Sequence, residues 1–455
     1  MSVRGVRVWR RIDVTLPPSF LIEHTRNEGC LMIENGACLE IKRSQFEDWK
    51  LGYTKITDAY GLMGILRTKE ESYLIAIKGV LSSGQLFNSD IYKITMSEFI
   101  PLKTLGVAEH IDPRIVELQK LISSGMFYFS ALTEYDLTLC AQKRAQGAQS
   151  DERFFWNRSL HFPLQRFGID SKQWFLKCIS GSCIIRTVYI GAKTGKVAIL
   201  SRLSCERVGT RFNVRGANDM GNVANFVETE QLILFEGQES SFIQIRGSIP
   251  LFWDQPGIQV GSHKVKLRAF EASAPAYKRH FLALQKLYEN IIVVNLLGHK
   301  EGERVLGDAF QTQHKNTHLK ETIPFIHFDY HAQMKISRDN INYLKKDLQT
   351  FLNDNGFFQQ INAKVLRNQT GVVRTNCLDC LDRTNNVQTL LGLMMLRDQI
   401  TSMRIESANA NLHQRFEEVL KDAWVKNGDQ CSIIYAGTGA LEGKSKGRFL
   451  LKKKA

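Results

Sequence analysis

Short runs of β-branched and aromatic residues alternate along this chain with longer segments whose apolar positions fall on one helical face. Tyr73–Lys78 and Ile91–Met96 are bounded by Gly, Ser, Asn and Asp, which predicts strands. Ile115, Leu118, Leu121 and Ile122 share one face of a predicted helix that Asp112 caps, Pro113 opens and Gly125 stops. Residues 1–145 therefore read as a mixed α/β N-terminal domain. The polar, aperiodic stretch 141–152 reads as a connecting segment. Beyond it Ile184–Ile190, Val197–Leu200 and Phe226–Phe235 read as extended, Lys278–Glu289 as helical and Ile291–Leu297 as a buried strand. That alternation predicts an α/β catalytic domain over 146–442, followed by a tail, 443–455.

Composition narrows the class. A chain of 455 residues, 43% hydrophobic and 23% charged, is an ordinary globular protein too long for one core. No apolar run is long enough to span a bilayer, and charges interrupt the N-terminus where a signal peptide needs a continuous apolar segment. Nine cysteines, an odd number, suit a reducing cytosol. The formal charge of +14 favours a polyanionic partner. Anionic membrane fits better than nucleic acid, since no basic-aromatic motif of the nucleic-acid kind is present.

The chemistry concentrates in Gly371–Asn385. Val372 and Val373 predict a short buried strand, and the apolar run Val387–Ile400 a helix buried nearly all round, with Met394 and Met395 as core. Between them Cys377 is followed after five residues by Arg383 and Thr384, the spacing of a loop whose amides converge on one anion. Phosphoryl transfer spreads charge over three oxygens, and a guanidinium fork can hold two of them. The adjacent helix N-terminus favours a Cys377 thiolate as nucleophile. Two carboxylates, Asp379 and Asp382, stand in the same loop. Negative charge beside a phosphate favours the protonated acid, so Asp379, with Asp382 second, is the expected proton donor to the leaving oxygen. Cys377 and Cys380 also form a CxxC, but Cys178 and Cys183 are the only other close pair and zinc would leave Arg383 without a role.

Arg374–Asn385 closely resembles the signature of the Sac family of phosphoinositide phosphatases. Phe154–Asn157, Arg211–Gly216, Val223–Glu230, Arg246–Trp253, Phe328–His331 and Tyr435–Leu441 resemble family stretches as well, so the likeness covers nearly the whole chain. It implies a cysteine-phosphatase-type fold. It also implies metal-free and cofactor-free removal of phosphate from phosphatidylinositol 4-phosphate and 3-phosphate through a phosphocysteine. Cys377, Arg383 and Asp379 would be catalytic, and Asn376, Asp382, Thr384, Arg211, Arg215 and Arg246 would bind substrate. His331 and Asp329 are further candidates for proton transfer.

Asp58–Gly61 and Ser201–Arg207 point to a branch of the family that acts in synaptic vesicle endocytosis. The implied setting is the cytoplasm, peripherally on presynaptic membranes. Members of that branch continue into a 5-phosphatase domain and a proline-rich tail that recruits endocytic proteins, neither of which is in this sequence. The basic cluster of 443–455, with Phe449–Leu451 inserted, is suited to anionic lipid or to solvated disorder. A cysteine-type protein phosphatase and a catalytically weak membrane adaptor remain the alternative functions.

Overall fold

The computed structural model describes residues 5–25, 28–103, 112–132, 134–255, 265–405 and 412–440. Leu441 and the basic tail lie outside them. The chain forms two compact units, one of residues 1–138 and 150–180, the other of 139–149 and 181–455.

The first unit begins with β1 (Val6–Arg11), β2 (Ser19–His24), β3 (Gly29–Glu34), β4 (Ala37–Lys42), helix α1 (Arg43–Trp49) and β5 (Tyr53–Ala59). The strands form an antiparallel sheet in the order β4-β3-β2-β1-β5. Alternation sorts its residues. Leu21, Cys30 and Ile41 meet Phe46 of α1, while Val8, Phe20, Ile22 and Leu31 enter a core with Leu62, Leu74 and Trp174. A second antiparallel set, β6 (Gly61–Arg67), β7 (Ser72–Leu86), β8 (Ser89–Pro101) and β9 (Phe127–Ser130), contains the two strands predicted over 73–78 and 91–96. Helix α2 (Pro113–Ile122) begins as its residues dictate, with Pro113 in the first turn and the Asp112 carboxylate accepting the Arg114 N–H at 2.9 Å. The first residues of β10 (Ile179–Ile190) pair with β9.

Residues 139–149 are not a bare connection. Ala141–Ala145 forms α3, whose first N–H, from Ala141, donates to Glu230 at 2.8 Å, and Arg144 pairs with the buried Glu239 at 3.0 Å. In the first unit the chain then makes the one-turn helix α4 (Phe162–Gln165).

The second unit continues with β10 from Gly181, then β11 (Lys193–Leu203), β12 (Val227–Phe235), β13 (Gln238–Arg246), the pair β14 (Trp253–Asp254) and β15 (Lys266–Leu267), α5 (Phe270–Tyr288), β16 (Asn290–Asn295), α6 (Glu301–Lys315), β17 (Phe325–His327), α7 (Tyr330–Ile336), α8 (Ile341–Asn355), β18 (Phe358–Ile361), β19 (Lys364–Arg367), β20 (Gly371–Asn376), α9 (Asp382–Ser402) and α10 (Leu412–Ala436). Strands β10 to β13 run antiparallel, whereas β13, β20, β16 and β17 are parallel neighbours. The predicted strands at 184–190 and 197–200 fall within β10 and β11, the one at 226–235 starts one residue before β12, and the one at 291–297 runs two residues past β16. The helix predicted over 278–289 starts earlier, at Phe270, with Pro275 inside it. Burial of Ala276, Tyr277, His280 and Phe281 offsets the hydrogen bond that proline cannot make.

All six residues of β20 are buried, as a central parallel strand requires. Helix α9 is clasped on two sides. Val387, Leu391 and Met395 pack with Phe242, Val373 and Leu348, with Met394 partly buried against them. Leu396 and Ile400 pack with Phe416, Leu420 and Trp424 of α10 and Val197 and Ile233 of the sheet. A fully buried charge cluster lies under the antiparallel strands: Arg202 contacts Glu230 at 2.5 Å and Glu228 at 3.4 Å, and Tyr288 donates to Glu228 at 2.5 Å.

Candidate active site

Strand β20 delivers Cys377 to the C-terminal edge of the parallel strands, and the chain turns through 377–381 into α9. The turn has no glycine, and Cys380 takes a left-handed φ of 53° in its place. That conformation aims the Cys380 N–H at Cys377 Sγ, 3.1 Å away, and the Thr384 hydroxyl donates to the same sulfur at 3.4 Å. Burial alone would push the Cys377 thiol up. The Cys380 side chain, the Arg383 charge and Thr384 outweigh it and bring the thiol down to about 6. Burial and the neighbouring Cys377 push Cys380 in the opposite direction, so it stays a neutral thiol. Its Sγ lies 3.1 Å from the Gly247 carbonyl oxygen.

Arg383 stands in the first turn of α9. Its Nη1 donates to the Leu296 carbonyl at 3.1 Å and to Glu303 at 2.8 Å, and its Nη2 donates to the other Glu303 oxygen at 2.7 Å. Glu303 is itself fixed by the Gly298 N–H at 2.7 Å. Burial opposes both charges. The pairing, with Cys377 beside Arg383, nevertheless holds Arg383 above its ordinary value and Glu303 below its own. Among the described residues the Nε–H and one Nη2–H have no partner. They lie on one edge of the guanidinium, the edge that can grip two phosphate oxygens.

Arg215 and Arg211 converge on Asp379. The Arg215 Nη1 lies 2.6 Å from one carboxylate oxygen, and Arg211 lies 3.7 Å from the other. The shorter contact is ionic rather than an aligned hydrogen bond, because the Arg215 donors point elsewhere, to the Leu378 carbonyl at 3.2 Å and Gln255 at 2.9 Å. Asp379 is thus engaged by two guanidinium groups.

The remaining expected residues separate. Asp382 is the first residue of α9, at the positive end of the helix. Asn376 is buried and committed to Arg374 at 3.1 Å and Asn295 at 2.8 Å. Arg246 has no exposed surface, and it donates to Asn385 of α9 from beneath the loop. Asp329 caps α7 by accepting the Ala332 N–H at 3.0 Å, and it also accepts the His299 N–H at 3.1 Å. A Cβ on Gly298 would stand 3.3 Å from both the Asp329 and Glu303 carboxylates, so Asp329 borders the Arg383 pair. His331 is exposed on α7.

Two charged residues near the loop escaped the sequence reading. Glu303 carries no local mark beyond being an acid in the first turn of a helix. Arg374 is completely buried without a carboxylate, donating to His280 at 3.1 Å and the Ser248 carbonyl at 2.8 Å, and burial brings it down to about 10.

Comparison with known proteins shows the family. Residues 60–335 match the SacI homology domain. The chain is 59% identical over 447 residues to synaptojanin of Caenorhabditis elegans, covering 98% of this chain and 40% of that protein. It is 47% identical over 454 residues to human synaptojanin-1, covering 97% and 28%. It is 32% identical over 473 residues to the phosphoinositide phosphatase SAC6 of Arabidopsis thaliana, covering 96% and 76%. The chain therefore spans less than half the length of the synaptojanins that it matches.

Proposed function

Because the chain belongs to the SacI homology family, we propose that it is a phosphoinositide phosphatase, a phosphoric monoester hydrolase that acts through Cys377. The observation that carries this reading is the thiol brought down to about 6 beside an arginine whose phosphate-gripping edge is open.

The substrates are phosphatidylinositol 4-phosphate and 3-phosphate. An incoming phosphate is gripped by the free edge of Arg383 and by loop amides, and it draws Arg215 and Arg211 from Asp379. The Cys377 thiolate attacks phosphorus and the bond to the inositol oxygen breaks. Asp379, entering the step as the carboxylic acid, supplies the proton to that oxygen. Water then hydrolyses the phosphocysteine, giving phosphate and the thiolate, and Asp379 takes back the proton. None of the helices among the described residues is long and apolar enough to cross a membrane. The enzyme would act peripherally on the cytosolic leaflet, in presynaptic membrane traffic.

The test is phosphate release from vesicles carrying single mono- and bisphosphorylated inositol lipids, with chelator present, for the native chain and Cys377→Ser. Activity on the monophosphates that disappears in the variant is expected. A silent native chain would instead favour a membrane adaptor, and activity surviving in Cys377→Ser would refute the thiolate mechanism.

A further inference from the structure

The turn before Arg215 carries two apolar side chains that the chemistry above does not use. Residues 207–215 contain three arginines and no acidic residue. Their backbone is pinned. The Val214 N–H donates to the Thr210 carbonyl at 2.9 Å, and Asn213 accepts the Thr210 N–H at 2.8 Å. The Arg211 N–H donates to the carbonyl of Tyr435 at 3.0 Å, and the hydroxyl of that buried residue donates to the Val214 carbonyl at 2.8 Å. Arg207 closes the turn on the carbonyls of Arg215 and Gly216, at 2.7 and 3.2 Å.

A turn tied down in this way could bury its apolar side chains, yet Val208 and Phe212 stand 54% and 53% exposed. Single exposed apolar residues are common on soluble proteins. Here the position is what matters. The Phe212 ring lies 5.0 Å from the Arg211 guanidinium, which lies 3.7 Å from Asp379 of the catalytic loop. An aromatic residue flanked by an arginine suits the boundary between headgroups and acyl chains, where the ring meets hydrocarbon and the cation meets lipid phosphate.

We propose that the turn at 208–212 is the membrane-contact element of this enzyme: Phe212 and Val208 enter an anionic bilayer while Arg211 stays at its phosphate layer, holding the catalytic loop against the surface. The proposal rests on the lipid-phosphatase reading, but its test separates the two. The turn is rigid before contact, so little ordering is lost on binding.

Two measurements decide it. In the first, Val208→Asp/Phe212→Asp and the parent act on phosphatidylinositol 4-phosphate, either in phosphatidylserine vesicles or as a water-soluble short-chain form. Expected is a loss of about tenfold or more on vesicles with unchanged turnover of the soluble form. Equal losses on both substrates, or no loss on vesicles, would overturn the proposal. In the second, Phe212→Trp is mixed with the same vesicles made with brominated acyl chains and no substrate. Quenching and a blue shift beyond the parent's are expected, and their absence overturns the proposal even if catalysis is normal. No activity on either substrate, with quenching present, would refute the enzyme reading and leave the contact element standing.

Discussion

Replacing Glu303 by Gln should disable the enzyme through Arg383 while making Cys377 a stronger acid. The pair is two charge-assisted hydrogen bonds, 2.7 and 2.8 Å long, between side chains that are each nearly nine-tenths buried. Glutamine can accept only one of them, and its NH2 opposes the second donor, so the guanidinium loses its orientation without losing its charge. Removing one well-aimed donor from a developing anion typically costs about 3 kcal/mol, or roughly 10²-fold in kcat. Leaving Arg383 without its carboxylate should cost a further 2 kcal/mol or so of stability, below the range for a fully buried pair because some solvent reaches it. The sign of the thiol change is the more telling readout. Glu303 offsets part of the positive charge near Cys377, so neutralising it should move the thiol below its native value of about 6, seen as an acid shift in the pH dependence of iodoacetamide labelling. A site that had collapsed would move the thiol upward, toward an ordinary cysteine. In an Arg383→Lys background, Glu303→Gln should add little to the loss of kcat, because the two act as one unit. Full activity in Glu303→Gln, an upward thiol shift, or additive losses would refute the reasoning.

For the native chain, kcat/KM should rise with pH as the Cys377 thiol, depressed to about 6, loses its proton, and fall again at higher pH as the proton donor Asp379 ionises. A pH–rate profile on short-chain substrate checks this, and a rising limb with its inflection near 8 to 9 would contradict it. Arg202→Met should lower unfolding stability by about 3–5 kcal/mol, because it strands Glu228 and Glu230 without their cation; urea unfolding measures it.

What could be read from the sequence was what local chemistry decides. Asp112 and Pro113 begin α2 because a cap and a fixed φ act within a few residues. Val372, Val373 and the apolar run after Asn385 gave the strand, loop and helix around Cys377, although α9 starts at Asp382 and takes Arg383 into its first turn. What could not be read depends on partners far along the chain. The polar segment near Ala141 resembled a connection because its stabilising carboxylates, Glu230 and Glu239, lie on strands about ninety residues later. Glu303 meets Arg383 across eighty positions. Asp379 looked like a free acid because nothing in its own loop announces Arg215. Arg246 was expected to bind substrate, but position in a motif does not reveal that it is fully buried.

The thiol at the end of β20 owes its acidity to groups that do not exist together until the second unit has folded. Arg383 is aimed by Glu303 and Leu296, and Cys380 is seated on Gly247, so the chain from Gly247 to Thr384 must be in place. In a growing or unfolded polypeptide Cys377 would be an ordinary thiol, far less ionised at neutral pH than in the finished protein. Nucleophilicity is therefore acquired on completion of the domain. The depressed thiol is thus a property of the folded second unit and not of the local sequence around Cys377.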